Sequence, residues 1–349
     1  MDEPLAAPRS LRTRRLLLRA WDPADAPLLR AELDASDAHL RPWVPFLKGE
    51  PRTVEATRDR LAAFRDAFAS GRQLVYGIFT ADASRVLGEA MLFGDSPVRE
   101  LGFWTAVDVG RQGFAREATQ ALLDLARGLL PTTAVHLRCA PDNLASAALA
   151  ERLGFTYRRT SSDGYVNALG HEQDTMHWEL AVTSRTRAEQ PGDEEAVRRV
   201  EEAAFEAPGE ARLVDRLRAK PGVISLVAES DGEIAGHVLL SPVVVEGSRA
   251  GRALALGPMA VHPDHQQKGL GRALVRHATV AAEAASADVL VVLGHPDYYP
   301  RFGFRPARAS GLLTTYDVPD DVFLALPLVG DATVPRGLVR YHDAFAALD

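Results

Sequence analysis

The sequence predicts an α/β protein built from two consecutive copies of one fold, and three observations carry that prediction. The chain has 349 residues, enough for two domains of roughly 150 residues each. Two stretches repeat the same order of features. The first is LGFWTAVDVGRQGFAREATQALLDLA from Leu101, then VHLRCAPDNLASAALAERLGF ending at Phe155; the second is ALALGPMAVHPDHQQKGLGRALVRHATVAAEAA from Ala253, then VLVVLGHPDYYPRFGF ending at Phe304. The loop glycines Gly113 and Gly269 lie 156 positions apart and the closing glycines Gly154 and Gly303 lie 149 apart, an offset the size of a domain and far longer than a solenoid repeat.

Each copy reads as strand, glycine-containing loop, helix, strand, second helix and closing Gly-Phe. Apolar, β-favouring residues before each loop predict the strand. After the loops, Leu122, Leu125 and Ala126 in one copy and Leu274, Val275 and Ala278 in the other recur at helical spacing. MHWELAV (176–182) reads as the last strand of the first copy. A polar stretch with Pro191-Gly192 follows, and a helix starts at Asp193. The expected domains are therefore 1–183 and 184–349. Residues 305–349 read as closing strands and a short terminal helix.

Composition narrows the function. The chain is 46% hydrophobic and 25% charged, ordinary for a globular protein with sizeable cores. Up to residue 183 it carries 22 basic and 24 acidic residues, and after it 18 and 23, so neither half has the basic excess of a nucleic-acid binder. Cys139 is the single cysteine, which excludes an intramolecular disulfide and fits a reducing compartment. No apolar run reaches a membrane span, and the N-terminus lacks a signal-peptide core. These points predict a cytoplasmic protein without nucleic-acid or membrane partners.

A strand that ends in a glycine turn opening a helix presents free N–H groups and the positive end of a helix dipole, which together make an anion site. QQKGLG (266–271) places Gly269 and Gly271 for close backbone approach, with Lys268 and Arg272 nearby. A glycine-rich strand–helix turn with no ligand shows the same pattern. A dinucleotide fold needs G-x-G-x-x-G and a P-loop needs G-x-x-x-x-G-K-[ST]; neither loop supplies either.

In context, VHPDHQQKGLGRALV resembles motif A of the GNAT superfamily of N-acetyltransferases, with its Q/R-x-x-G-x-G/A core, and GHPDYYPRFGF resembles that family's downstream motif. The second half is similar to a bacterial branch with an HP-x-YYPRFGF ending. In the first half, LRAWDPAD (18–25), ELGFW (100–104), GFAREA (113–118) and DNLASAALAERLGF (142–155) resemble the branch that acetylates ribosomal-protein N-termini. The resemblance implies two tandem GNAT folds, each a mixed twisted sheet flanked by helices, with fourth and fifth strands splayed to admit the pantetheine arm of acetyl-CoA. It implies a pyrophosphate site at Gln266, Gln267, Lys268, Gly269, Leu270, Gly271 and Arg272, and in the first copy at Arg111, Gln112, Gly113, Phe114, Ala115 and Arg116. Strand residues Met259, Ala260 and Val261, and Thr105, Ala106 and Val107, would pair with the pantetheine amides. The first copy departs from the pattern at Gly110, where Gln or Arg is expected; Arg111 follows it and stands in.

Acetyl transfer to an amine needs a neutral amine, a donor for the tetrahedral oxyanion and a proton or hydrogen bond for the departing thiolate. By resemblance, a strand bulge at Pro258-Met259 serves the oxyanion, and Tyr299, four residues before Gly303, is the general acid on the second helix; the plain alternative is that Tyr298 and Tyr299 cap the core. The first copy has Ala150 at that place. It has instead Ser146, the acid of the N-terminus-acetylating branch, and Asn143, which in that branch holds the cofactor arm and which also suits a helix N-cap. His295 stands where Ser146 maps. Glu100 is a candidate general base and equally a strand-edge surface carboxylate. His237 in GHVLLSP poses the same choice, a candidate general base or, as lone strand histidines more often are, a structural residue. His262 and His265 flank Asp264, but H-P-D-H does not make a metal set, with no further ligand at a suitable spacing, so no metal is expected. Acetyl-CoA is the expected co-substrate, and the acceptor an amine-bearing small molecule or a protein N-terminus. Trp43 and Phe46, in DASDAHLRPWVPFLKGE (34–50), form either a lid over the first cleft or a loop packed on the core.

Overall fold

The computed structural model describes residues 6–94, 97–247, 251–330 and 333–347. Residues 1–5, on which the reading of the N-terminus partly rests, lie outside the described residues. The chain divides into two compact units at Thr183, an N-terminal unit from Ala6 to Val182 less Arg127–Leu129, and a C-terminal unit beyond it that includes those three residues.

In the N-terminal unit the elements run β1 (Ser10–Arg12), β2 (Leu16–Ala20), α1 (Ala26–Leu40), α2 (Val54–Ala69), β3 (Gln73–Thr80), β4 (Val86–Phe93), β5 (Val98–Thr105), α3 (Phe114–Gly128), β6 (Ala134–Cys139), α4 (Leu144–Arg152), β7 (Thr156–Val166) and β8 (Glu172–Ala181). They form one mixed sheet of order β1-β2-β3-β4-β5-β6-β8-β7, with β5 and β6 as its parallel pair. Helix ends follow local chemistry: the Thr53 side chain accepts the Ala56 N–H to cap α2, and the Asn143 side chain accepts the Ser146 N–H at 3.1 Å to cap α4. The apolar stripe read from the sequence faces inward, since Leu122, Leu125 and Ala126 of α3 are buried. Phe46 lies against the core of α1, α2 and β3, with the Arg60 guanidinium 4.0 Å from its ring, and Trp43 is half-buried. Phe46 therefore packs its loop onto the core.

The C-terminal unit repeats the plan with β9 (Ser184–Ala188), α5 (Glu194–Phe205), α6 (Gly209–Arg218), β10 (Ile224–Ser230), β11 (Glu233–Glu246), β12 (Ala253–Val261), α7 (Leu270–Ala284), β13 (Val289–Leu293), β14 (Arg305–Pro306), β15 (Leu312–Thr314), β16 (Phe323–Pro327) and β17 (Gly337–Arg340). Its sheet order is β14-β16-β13-β12-β11-β10-β9, with β12 and β13 parallel; β17 extends the far end of β11. The two units share their loop-to-helix geometry: α3 and α7 each have 15 residues and start 156 positions apart.

One expected element differs. The second helix of the second copy is a single 3-10 turn, Tyr299–Phe302, where the first copy has the nine-residue α4. Pro300 has no N–H and its ring would meet a carbonyl of the preceding turn, and Gly303, at φ 93, ends the turn at once. The terminal helix, Asp343–Ala347, is likewise 3-10. Among the described residues, no helix is long and apolar enough to cross a membrane.

The C-terminal unit also carries a pH-sensitive element of stability. His277 on α7 is buried, Nδ1 lies 2.7 Å from Thr186 Oγ1 on β9, and loss of hydration pulls its pKa down to about 4. Its folded pKa is below the unfolded value near 6.5, so the unfolded chain takes up the proton first. Stability is complete above about pH 6.5 and falls as pH drops toward 4. From pH 7.5 to 5, urea unfolding of the wild type should lose about 2 kcal/mol more than unfolding of His277→Gln; equal losses would show that His277 does not couple to folding.

Candidate functional site

In both units the two parallel strands pair for three residues and then part. In the N-terminal unit, Val98, Arg99 and Glu100 pair with Ala134, Val135 and His136, after which β5 runs on to Thr105 and β6 to Cys139 without further pairing. In the C-terminal unit, Ala253, Leu254 and Ala255 pair with Val289, Leu290 and Val291, and β12 and β13 then separate. The gap opens beside the strand–helix loop in each case.

The loops match residue for residue in backbone conformation. Arg111 and Gln267 both sit at φ 61, and Gly113 and Gly269 at φ 82 and 98. A side chain at positive φ is strained, so its recurrence at the same place in both units shows that the turn demands it. Left-handed residues at alternate positions turn N–H groups to one side, and the first turn of a helix leaves its N–H groups without intrahelical acceptors. Gly269 is the N-cap of α7 and makes no side-chain cap, which leaves that turn open to an anion. The departure at Gly110 does not alter the loop, because the backbone and not the side chain shapes it.

The units differ next to the gap. In β12, Met259 pairs with Val238 and Leu256 with Leu240, so Gly257 and Pro258 together oppose Leu239 as a bulge. Pro258 has no N–H to give the ladder and Gly257, at φ 145, takes a conformation closed to other residues. The bulge is thus one residue N-terminal of Pro258-Met259, and it inserts the extra residue that makes the loops 156 apart where the paired strands are 155 apart. In the N-terminal unit, β4 and β5 pair without a break from Phe93–Glu100 to Gly88–Thr105.

A cavity of about 880 Å³ collects these features in the C-terminal unit. The loop lines it with Gln266, Gln267, Gly269, Leu270, Gly271 and Arg272; the bulge contributes Gly257, Pro258 and Met259, and the end of β12 Val261. Lys268 and Ala260 do not line it. Tyr299 does, buried, with burial alone holding its phenol well above the usual value. No hydrogen-bond partner engages the Tyr299 hydroxyl among the described residues. A Cβ on Gly294 would lie 2.2 Å from the Tyr299 ring, and one on Gly271 2.6 Å from the Tyr298 hydroxyl, so these glycines make room for the two phenols. Phe205, Glu210, Leu213, Tyr316, Tyr341 and Phe345 form a separate wall of the cavity. They come from α5, α6 and the segment after β15, and no sequence motif points to them.

In the N-terminal unit, Arg111 to Arg116 form the loop and the start of α3. Arg15 crosses it, bonding the Gln112 carbonyl at 2.9 Å and Glu117 at 2.7 Å, with its guanidinium 4.4 Å from the Phe114 ring. Ser146 lies in the first turn of α4; its own hydroxyl makes no hydrogen bond among the described residues, and the cap comes from Asn143. The strand expectation moves: β5 ends at Thr105, and the N–H groups of Ala106 and Val107 are spent on the Leu87 carbonyl and Ser36 Oγ at 2.9 and 3.1 Å. The positions equivalent to Met259 to Val261 are Phe103, Trp104 and Thr105. Glu100 stands at the root of the gap, where the C-terminal unit has Ala255, but both its oxygens accept from Arg138 at 3.0 and 2.7 Å, which favours the ion-pair reading. His237 is fully buried between Glu201 (2.6 Å) and Ser225 (2.8 Å), which favours the structural reading. No group of metal-ligating side chains occurs among the described residues.

Comparison with known proteins agrees with this architecture. Residues 15–156 and residues 221–306 each match a family described as an acetyltransferase (GNAT) domain. The chain is 34% identical over 151 residues to the uncharacterised N-acetyltransferase YjhQ of Escherichia coli K12, a match covering 42% of this chain and 80% of that one. It is 31% identical over 163 residues to the uncharacterised N-acetyltransferase YhbS of the same organism, covering 46% and 96%. Among solved structures it is similar to Escherichia coli YhbS in complex with CoA (32% identity, 48% and 94% covered, TM-score 0.45). A second is RimL, a ribosomal L7/L12 alpha-N-protein acetyltransferase, also with CoA (21%, 50% and 98%, TM-score 0.47). With a family match in each unit, the chain belongs to the GNAT acetyltransferases, and is an N-acetyltransferase with two GNAT domains in tandem.

Proposed function

We propose that the C-terminal unit, taken as a domain spanning 184–349, transfers an acetyl group from acetyl-CoA to a primary amine, and that the N-terminal domain, 1–183, binds acetyl-CoA more weakly. One observation carries this reading: anion loop, strand gap, bulge and uncommitted phenol all line one cavity in the C-terminal unit. The N–H groups of Gln267 to Arg272 take the pyrophosphate, and Met259 to Val261 pair with the pantetheine arm in the gap. The neutral amine attacks the thioester carbonyl, a backbone N–H at the bulge receives the oxyanion, and the C–S bond breaks as the C–N bond is kept. The amine's proton leaves to solvent, Tyr299 donates its own to the thiolate, and the phenolate is reprotonated from solvent, so thiol and amide leave with no net proton change. Burial raises the Tyr299 phenol and so keeps it protonated and available as the donor. The acceptor is a small-molecule amine or a protein N-terminus.

The unbroken β4–β5 ladder and the Arg15–Glu117 pair across the loop favour the weaker role for the N-terminal unit. There, Arg111 to Arg116 and Asn143 face the cofactor and Ser146 replaces the tyrosine. Calorimetry with acetyl-CoA on the full chain should show one tight site, with or without a second, weaker one. Thiol release over a panel of amines should follow addition of acceptor. No heat with acetyl-CoA, or two equal sites, would overturn the assignment.

A further inference from the structure

We propose that the acceptor of the C-terminal unit is a primary amine carrying a second cationic group, held between Glu210 and the aromatic side chains Phe205, Tyr316, Tyr341 and Phe345. The inference rests on the reading of that cavity as the acetyl-transfer site. The cavity's charges are segregated: Arg272 and Arg301 line it on the side of the loop and the tyrosine turn, whereas Glu210 is its one carboxylate among the described residues. Glu210 opens α6 and neither an ion pair nor a hydrogen bond engages it among the described residues. A half-buried carboxylate left unpaired in a cavity favours a cationic occupant.

The surroundings of Glu210 fit that charge. Tyr316 and Tyr341 meet edge to face at 5.6 Å and Tyr341 and Phe345 at 5.3 Å, and Phe345 packs on the core beneath α5 and α6. Phe205, at the end of α5, exposes 39% of its surface. Ring faces attract ammonium groups and exclude carboxylates. The Tyr341 hydroxyl is itself buried, so the ring and not the hydroxyl is what this residue offers the cavity. Burial keeps that phenol protonated, so this wall adds no charge of its own beside Glu210. The reacting nitrogen must be neutral, so the group at Glu210 is a second one. An alkane diamine, with an apolar spacer against the rings, satisfies both requirements.

The test compares 1,4-diaminobutane, 1-aminobutane and 4-aminobutanoate as acceptors with the full-length protein, reading kcat/KM by thiol release. Calorimetry measures diamine binding in the presence of CoA. The diamine should exceed the monoamine by at least about tenfold, the effect of one desolvated charge pair. Glu210→Gln should bring that ratio toward one and weaken diamine binding. Glu210→Lys should move the preference to 4-aminobutanoate. Ratios measured on one preparation do not depend on how much of it is folded. A wild-type ratio near one, or a ratio unmoved in Glu210→Gln, overturns the inference, as does absence of transfer to the diamine. Acetyl-CoA binding with transfer to other amines would then leave the acetyltransferase reading standing, and absence of both would remove it too.

Discussion

Turnover of Tyr299→Phe should fall by roughly 10²–10⁴-fold, the range of a lost general acid, while acetyl-CoA binds nearly as before. The substitution is clean because the ring is held independently of its hydroxyl. It packs edge-on against Tyr298 at 5.2 Å and Phe304 at 5.5 Å, and sits over Gly294. Phenylalanine keeps all of those contacts. No described residue accepts from the hydroxyl, so its removal strands no buried partner and should leave the melting temperature in place. The pH profile adds a second reading. Burial holds the phenol above its usual range, so it stays protonated wherever the enzyme is stable. Activity should therefore climb as the acceptor amine loses its proton and show no loss from Tyr299 ionisation below about pH 10. Tyr298→Phe serves as the control, since the Tyr298 hydroxyl lies at Gly271 and faces the loop. Unchanged turnover in Tyr299→Phe, with transfer by the C-terminal unit established, would make the tyrosine a packing residue.

How much of the fold and site is legible in the sequence depends on whether the signal is local. Gly113 and Gly269 are readable because a left-handed backbone selects glycine at one position, and the helices after them because burial repeats every third or fourth residue. The positive φ of Arg111 and Gln267 is invisible, since nothing about those side chains announces it. The tyrosine turn reads as a helix in the sequence because the repeat puts it where the first copy has a helix, whereas Pro300, with no N–H to give, cuts the turn short. The strand contacts of the first copy read two residues too far along because strand ends are set by pairing partners, here Gly88 and Thr105, which lie in different parts of the chain. The aromatic wall of the cavity is the extreme case: Phe205 and Glu210 are distant in sequence from Tyr341 and Phe345, and they meet because the last segment packs on α6. Glu100 has the right residue type at the root of the gap, yet its partner Arg138 lies 38 positions away, and no local pattern pairs the two.

Gly271→Asp should cost the C-terminal unit more than a hundredfold in acetyl-CoA affinity and expose whatever the N-terminal unit does alone. Gly271 lines the cavity in the first turn of α7, where the phosphate charge would sit. A carboxylate about 5 Å from that charge, at an effective dielectric constant near 20, opposes binding by about 3 kcal/mol. The added Cβ also meets the Tyr298 hydroxyl, which is the end of a side chain that can move. Folding should survive, because an acidic residue in the first turn of a helix contributes roughly 0.3–1 kcal/mol through the helix dipole and offsets that contact. Any acetyl-CoA heat and turnover left in Gly271→Asp then belong to the N-terminal unit, whose loop has the same backbone angles. Adding Ser146→Ala asks what that remainder is. Asn143 already caps α4, so losing the Ser146 hydroxyl should leave stability nearly unchanged. If the hydroxyl supplies the thiolate's proton, the remaining turnover falls by at least about tenfold, or some 1.4 kcal/mol in the barrier. A remainder that binds acetyl-CoA but turns nothing over, with or without Ser146, makes the N-terminal unit a binding module beside one catalytic domain. A Gly271→Asp chain as active as its parent would instead move catalysis to the N-terminal unit, and the bulge at Gly257 and Pro258 would then have no part in stabilising the oxyanion.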